Sequence, residues 1–414
     1  MGGVTNPAHT DDPYLWLEDV TGDDALAWVR EHNAPTVAEL SGERFEQMRA
    51  EALEVLDTDA RIPYVRRRGE YLYNFWRDAA NQKGLWRRTT LESYRTEKPD
   101  WEVIIDLDEL ARADDENWVW AGADVLEPDY SLALISLSRG GSDAAVVREF
   151  DMRTKVFVDG GFELAEAKSQ VSWEDENTLL VGTDFGEGSL TESGYPRLVK
   201  RWRRGTPLSE AETVFSGAES DVVVAGSRDH TEGFERTLVS RAFDFFNERV
   251  YELRDGELIR IDTPTDASIS IHREWLLIEL RTEWQYGTQT YPAGSLIAAD
   301  YEKFLSGTAE LQVVFSPDAH TCLHHYAWTR DRLVVVTLAD VASRVAIYTP
   351  GAWISQPVPG LPENTNTVIV GTDPLGDEMF LDSSGFLTPS RLLYGSADGN
   401  LSEIKRAPSF FDAS

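Results

Sequence analysis

From Ile62 onward the chain keeps one rhythm. Short runs rich in Val, Ile, Leu, Tyr and Trp alternate with turns rich in Gly, Asp, Asn and Pro, and the runs come in fours. The first four are IPYVRR, EYLYNFWR, KGLWRRTT and WEVIIDL, with joins that include Arg68-Gly69 and Asn81-Gln82-Lys83-Gly84. Runs of this length, bounded by such residues, read as strands of an antiparallel meander. Seven such units begin near residues 62, 117, 169, 219, 266, 322 and 366, at intervals of 44 to 56 residues. A four-strand unit recurring every ~40–50 residues is the pattern of propeller blades. The units share a pattern and little sequence identity. A pair of β-sandwiches is the competing architecture, and seven similar units in a row weigh against it. The expected fold is therefore mainly β: a seven-bladed β-propeller of four-stranded antiparallel blades, preceded by a short α-helical segment. The second run of each unit is the most apolar, as in Leu276-Leu277-Ile278, which suits a crowded inner strand. Charged last runs such as LSEIKRA suit an outer one.

The first 60 residues follow another grammar. TGDDALAWVREHNAPTVAEL opens with Thr21 and Asp24 spaced like a capping box. Leu26, Val29, Val37 and Leu40 can share one helical stripe, with Pro35 as an expected break or kink. In the next segment Ser41 is a candidate N-cap, and Phe45, Met48, Ala52 and Val55 recur at helical spacing. Both stripes need an apolar partner.

Composition narrows the functional classes. With 72 acidic against 39 basic residues the net charge is −33, so the basic footprint of a nucleic-acid binder is missing. The single cysteine, Cys322, rules out an intrachain disulfide. The opening MGGVTNPAHTDDPY has neither the basic nor the apolar region of a signal peptide, and no apolar run is long enough to span a membrane. A cytoplasmic protein, bound to neither membrane nor nucleic acid, is the expectation.

A propeller is a scaffold, so function has to be sought in sites. The nearest approach to a Gly-x-Ser-x-Gly nucleophile elbow is Gly140-Gly141-Ser142-Asp143-Ala144, which ends in Ala and lies between two expected strands. It reads as a hairpin turn. In the CLHH stretch, His324 and His325 are adjacent in an expected strand and should point to opposite faces. No metal or other cofactor is expected. DLDELARADDE, with Asp106, Asp108, Asp114 and Asp115, lacks the pattern of a calcium loop and reads as an exposed acidic linker between blades. One insertion stands out. Between TLLV and RLVKRW runs a long polar loop containing Gly186, Gly188 and Gly194. Long loops of this kind are often functional. Thr191, Glu192, Tyr195 and Arg197 are the candidate contacts to a ligand or a neighbouring domain.

These pieces together resemble the prolyl oligopeptidase family of serine peptidases. PYLWLED (Pro13 to Asp19), with Trp28, Val29 and Asn33 downstream, looks like that family's N-terminal segment. RRGEYLYNFWRDAANQKGLWRRT looks like its first blade, and SLSRGGSDAAVVREFDMRTK like its second-blade hairpin. LLVGTDFGEGSLTESGYPRLVKRWRRGT is similar to a stretch of bacterial members. PSFFDAS, with Phe410 and Phe411, resembles the junction between propeller and catalytic domain. The resemblance implies an organisation: residues 1–60 as a helical segment that packs on a hydrolase domain, 61–406 as the propeller, and 407–414 as the start of a linker. It also implies a C-terminal α/β-hydrolase domain as partner, carrying the Ser, Asp and His triad. The propeller would restrict access to short peptides that are cut after proline. No catalytic residue carries over to these 414 residues, which by themselves are expected to lack peptidase activity. The alternative is a stand-alone propeller that binds peptides or proteins without catalysis.

Overall fold

The structure, a computed structural model, describes residues 12–362 and 364–409. Two compact units divide at residues 59 and 60.

In the first unit a 3-10 turn, Leu15–Glu18, precedes the helices Asp23–Leu40 and Glu43–Leu56. Gly22 and Gly42 occupy the N-cap positions, each without a side-chain cap, so neither Thr21 nor Ser41 has the expected role. Acidic residues in both first turns, Asp23, Asp24, Glu43 and Glu46, favour the positive end of the helix dipole instead. Pro35 lies inside the first helix without ending it, so of the expected break or kink the break does not occur. Trp28 stacks on His32 with ring centroids 3.7 Å apart, and Trp16 meets Trp28 edge-on. The apolar stripes are open: Val37, Leu40, Phe45, Met48 and Leu56 are exposed.

The second unit is the propeller. Among the described residues its seven blade sheets follow chain order, every pair antiparallel. The first strands of blades 1 to 7 are Arg66–Arg68, Trp118–Val125, Gln170–Asp175, Val223–Asp229, Ser268–His272, Thr321–Trp328 and Asn366–Thr372. In the main strand-to-strand contacts between neighbouring blades a first strand is involved, so these strands are innermost. Second strands are well buried, and in blade 5 the third strand, Leu296–Asp300, is buried as well. Leu276, Leu277 and Ile278 are completely inaccessible, each contributing about 1.5–3 kcal/mol by burial.

Blade 2 gains a short strand, Glu163–Ala167, on its third strand. Blade 5 carries an additional hairpin, Trp284–Tyr286 with Gln289–Tyr291, between its second and third strands. DLDELARADDE is not an exposed linker. It forms a helix, Leu107–Asp114, that buries Leu107 and Ala111 against blade 1 and 2 residues. Its carboxylates are structural. Asp106 caps the helix by accepting from the Glu109 amide, Asp108 accepts from the Lys83 and Gly84 amides, and Asp114 accepts from the Trp118 indole. The sequence reading missed it because a two-turn helix shows too few periods to register against an acidic background.

The antiparallel order gives the ring two faces. First strands start, second-to-third loops turn and fourth strands end on one face, called proximal here. The propeller begins there, just before Arg66, and its last strand, Ser402–Arg406, finishes there. First-to-second turns lie on the opposite, distal face.

Candidate functional site

The blade 3 loop lies on the proximal face, between strands Thr178–Gly182 and Leu198–Arg203. It is folded rather than slack. The Phe185 amide donates to Ser189 Oγ, the Gly186 amide donates to Asp184 Oδ1, and Leu190 bridges Pro196. Thr191 is buried. Its amide donates to the Tyr195 carbonyl at 2.8 Å and its hydroxyl to the Val222 carbonyl at 3.2 Å. Arg197 donates from Nε to the Gly188 carbonyl (2.7 Å) and from Nη1 to the Gly217 carbonyl (2.8 Å), pinning the loop to the lead-in of blade 4.

The four candidate residues therefore do different things. Thr191 and Arg197 hold the loop's shape. Tyr195 reaches blade 2, where its hydroxyl donates to Asp143 Oδ2 at 3.4 Å and Lys168 Nζ sits 4.5 Å from its ring centre. Glu192 is exposed, with its amide bonded to the Glu219 carbonyl. Together with Asp184, Glu187 and Glu219 it lines an open cavity of about 520 Å³.

Elsewhere on the proximal face the second-to-third loops of blades 4, 6 and 7 present bare apolar tips. Phe245, Phe246, Val341, Phe386 and Leu387 are exposed, Phe386 completely. A cavity of about 550 Å³ between blades 6 and 7 is lined by Val341, Asn364, Thr365 and Phe386.

A second polar cavity, of about 280 Å³, sits at the distal ends of the inner strands. Asp124 and Glu127 of blade 2, Ser172 and Trp173 of blade 3, and Arg228 and His230 of blade 4 line it. The Trp173 carbonyl accepts from His230 Nε2 at 3.1 Å. Burial raises the Asp124 carboxyl to about 6, while the Trp173 amide and the charges of His230 and Arg68 pull it down. Sequence reasoning missed this cavity because its residues come from four blades about 50 residues apart, Ile271 of blade 5 included.

The remaining candidates resolve simply. Residues 140–144 turn between strands Leu132–Arg139 and Ala145–Asp151, and the Ser142 hydroxyl donates to the Ala144 carbonyl. His324 and His325 do not point apart. A bulge between Leu323 and His325 interrupts the alternation and brings their Nδ1 atoms to 2.9 Å. The Ile369 amide of blade 7 donates to His325 Nε2 at 2.9 Å, so Nδ1 carries that ring's proton. A ring accepting at one nitrogen and donating at the other keeps no lone pair for a metal. Among the described residues the carboxylate contact of a histidine is His320 Nδ1 to Asp340 Oδ1, on exposed turns, and no serine hydroxyl is hydrogen-bonded to a histidine.

The N-terminal β-propeller domain of prolyl oligopeptidase matches residues 4–408. The chain belongs to the prolyl oligopeptidase family. An uncharacterized peptidase of Sinorhizobium fredii is 36% identical over 97% of this chain and 57% of its own length. Another, of Rickettsia prowazekii, is 28% identical over 84% of this chain and 50% of its own. Among solved structures a post-proline cleaving enzyme from Rickettsia typhi superposes with a TM-score of 0.89 at 27% identity, covering 96% of this chain and 61% of that one. Oligopeptidase B from Leishmania major, at 14% identity and a TM-score of 0.73, shares the fold. The chain thus spans about half the length of the curated relatives it matches, and what it supplies is the family's propeller together with the helical segment before it. Phe410 and Phe411 lie outside the described residues. Among those residues no helix is long and apolar enough to cross a membrane.

Proposed function

We propose that this chain gates a serine peptidase of the prolyl oligopeptidase family, one that cuts short peptides after proline. The catalytic triad belongs to an α/β-hydrolase domain that docks on the proximal face. The observation that supports this reading is the set of bare apolar tips there: Phe245, Phe246, Val341, Phe386 and Leu387 stand on loops of three blades, on the face where the propeller begins and finishes. Apolar tips gathered on one face are the mark of an interface. The carboxylates of Asp184, Glu187, Glu192 and Glu219 add a charged rim, for which basic groups on the hydrolase domain are the natural complement. In this arrangement Tyr195 and Glu192 contact the docked domain or an incoming peptide, and Thr191 and Arg197 keep their loop in place.

The test joins the chain, through residue 414, to the hydrolase portion of the Sinorhizobium fredii relative. The fused protein should hydrolyse a glycyl-prolyl chromogenic substrate and spare casein. Equal attack on both would contradict gating. Placing Asp at Phe245 and Phe386 together should weaken hydrolysis of the small substrate at least about tenfold, which corresponds to ~1.4 kcal/mol.

A further inference from the structure

The distal cavity holds charges of both signs that do not pair with each other. Asp124 and Glu127 enter from blade 2 and Arg228 from blade 4, with Ser172 and Trp173 of the intervening blade between them. Arg228 donates from Nη1 to Thr237 Oγ1 at 3.0 Å, while its buried Nε–H has no hydrogen-bond partner. Asp229, its neighbour, also lines the cavity and is paired with Arg236 at 3.6 Å. On the blade 2 side, among the described residues, neither Asp124 nor Glu127 makes an ion pair, although the charges of Arg68 and His230 reach Asp124 and the Trp173 amide donates to it. Glu127 is exposed, but Asp124 and Arg228 are partly buried, and charge held partly out of water without an ion-pair partner is costly. A ligand bearing both complementary charges would offset that cost.

The volume limits the ligand. At ~30 Å³ per water, about 280 Å³ holds roughly nine waters, which is space for two amino-acid residues and not for a long chain. A free dipeptide has the right polarity, with an ammonium at one end and a carboxylate at the other. Ser172 and His230 line the same space and can bond its amide.

We propose that this cavity is a binding site for zwitterionic dipeptides, with the ammonium group toward Asp124 and Glu127 and the carboxylate toward Arg228. Binding needs only the propeller, so the inference stands or falls apart from the gating role. In a peptidase it would place a sensor for short peptides at the mouth opposite the proximal face.

Calorimetric titration of the 414-residue chain tests this with three probes: alanyl-alanine, its N-acetyl form and its C-terminal amide. Alanyl-alanine should bind saturably, and each capped form at least about tenfold more weakly. Asp124→Asn should weaken alanyl-alanine about fivefold or more and leave the N-acetyl form unchanged. Arg228→Gln should do the same with respect to the amide. Equal binding of all three probes, or no saturable binding of alanyl-alanine by 20 mM (about the weakest useful affinity, ~2 kcal/mol), would overturn the proposal. So would variants that melt like the parent and bind like it. If Arg228→Gln does not fold, the capped probes on the parent protein decide.

Discussion

Arg67 on the innermost strand of the first blade forms an ion pair with Glu378 on the second strand of the last. Among the described residues no sheet combines strands from the two ends of the ring, so contacts made by side chains close this seam. Asp373 adds a second carboxylate to Arg67 at 3.4 Å, and the Tyr64 hydroxyl donates to Asp382 at 2.6 Å. Beneath them Val65, Leu72, Tyr94, Phe380 and Leu392 form one apolar cluster.

The apolar cluster should dominate closure. Arg67 and Glu378 keep part of their side-chain surface in water, which screens the pair. A double-mutant cycle of Arg67→Gln and Glu378→Gln, followed by urea unfolding, should give a coupling of about 1 kcal/mol. Phe380→Ala should cost about 3–5 kcal/mol. A coupling larger than the Phe380→Ala loss would show that charge, not packing, closes the ring.

Blades 3 and 4 approach closely at Gly226. A Cβ there would lie 2.7 Å from Val199 Cγ1 and 3.2 Å from Leu180 Cβ, and both neighbours are fully buried. Gly226→Ala should destabilise the propeller by about 1–3 kcal/mol through overpacking. An unchanged unfolding midpoint would mean that the blades can part without cost.

Glu149 is buried and tied to blade 3 by Arg204, with paired contacts of 2.8 and 2.9 Å, and it also accepts from the Phe162 amide at 2.7 Å. Arg204→Met leaves that carboxylate without its cation and should cost about 3–5 kcal/mol. Replacing Glu149 by Gln in the Arg204→Met background should recover part of the loss. No recovery would place the cost in packing of the Arg204 stem rather than in the stranded charge.

Asp124 should give the propeller a measurable pH signature. Burial raises its carboxyl to about 6, against about 3.9 in an unfolded chain. Between those values the folded state holds the proton and the unfolded state has released it. The stability this group contributes is therefore present at low pH and lost as pH rises through 6. Asp124→Asn cannot ionise, so its melting temperature relative to the parent should rise between pH 5 and pH 7.5. A constant difference across that range would contradict the assignment.

The fold was legible because seven units repeat one strand-and-turn grammar. Each expected unit start falls within five residues of an observed inner strand, from Arg66 to Asn366. Local exceptions escaped for local reasons. The bulge at His324 and His325 changes which way two side chains point without altering the apolar pattern. The helix Leu107–Asp114 is held by capping and by two buried side chains rather than by a long periodicity. The loop of Thr191, Glu192, Tyr195 and Arg197 stood out by its length, but the division between loop-holding and outward-facing residues depends on carbonyls of blade 4. The distal cavity gave no signal at all, because Asp124, Trp173 and Arg228 converge only when the ring closes.

The proposed gating role implies that these 414 residues shape access to a peptidase site on another domain and do not themselves cut. The most direct measurement exposes the purified 414-residue protein to a fluorophosphonate serine probe and to a glycyl-prolyl chromogenic substrate. No serine should be labelled and no chromophore released. Stoichiometric labelling of one serine, with turnover, would contradict it.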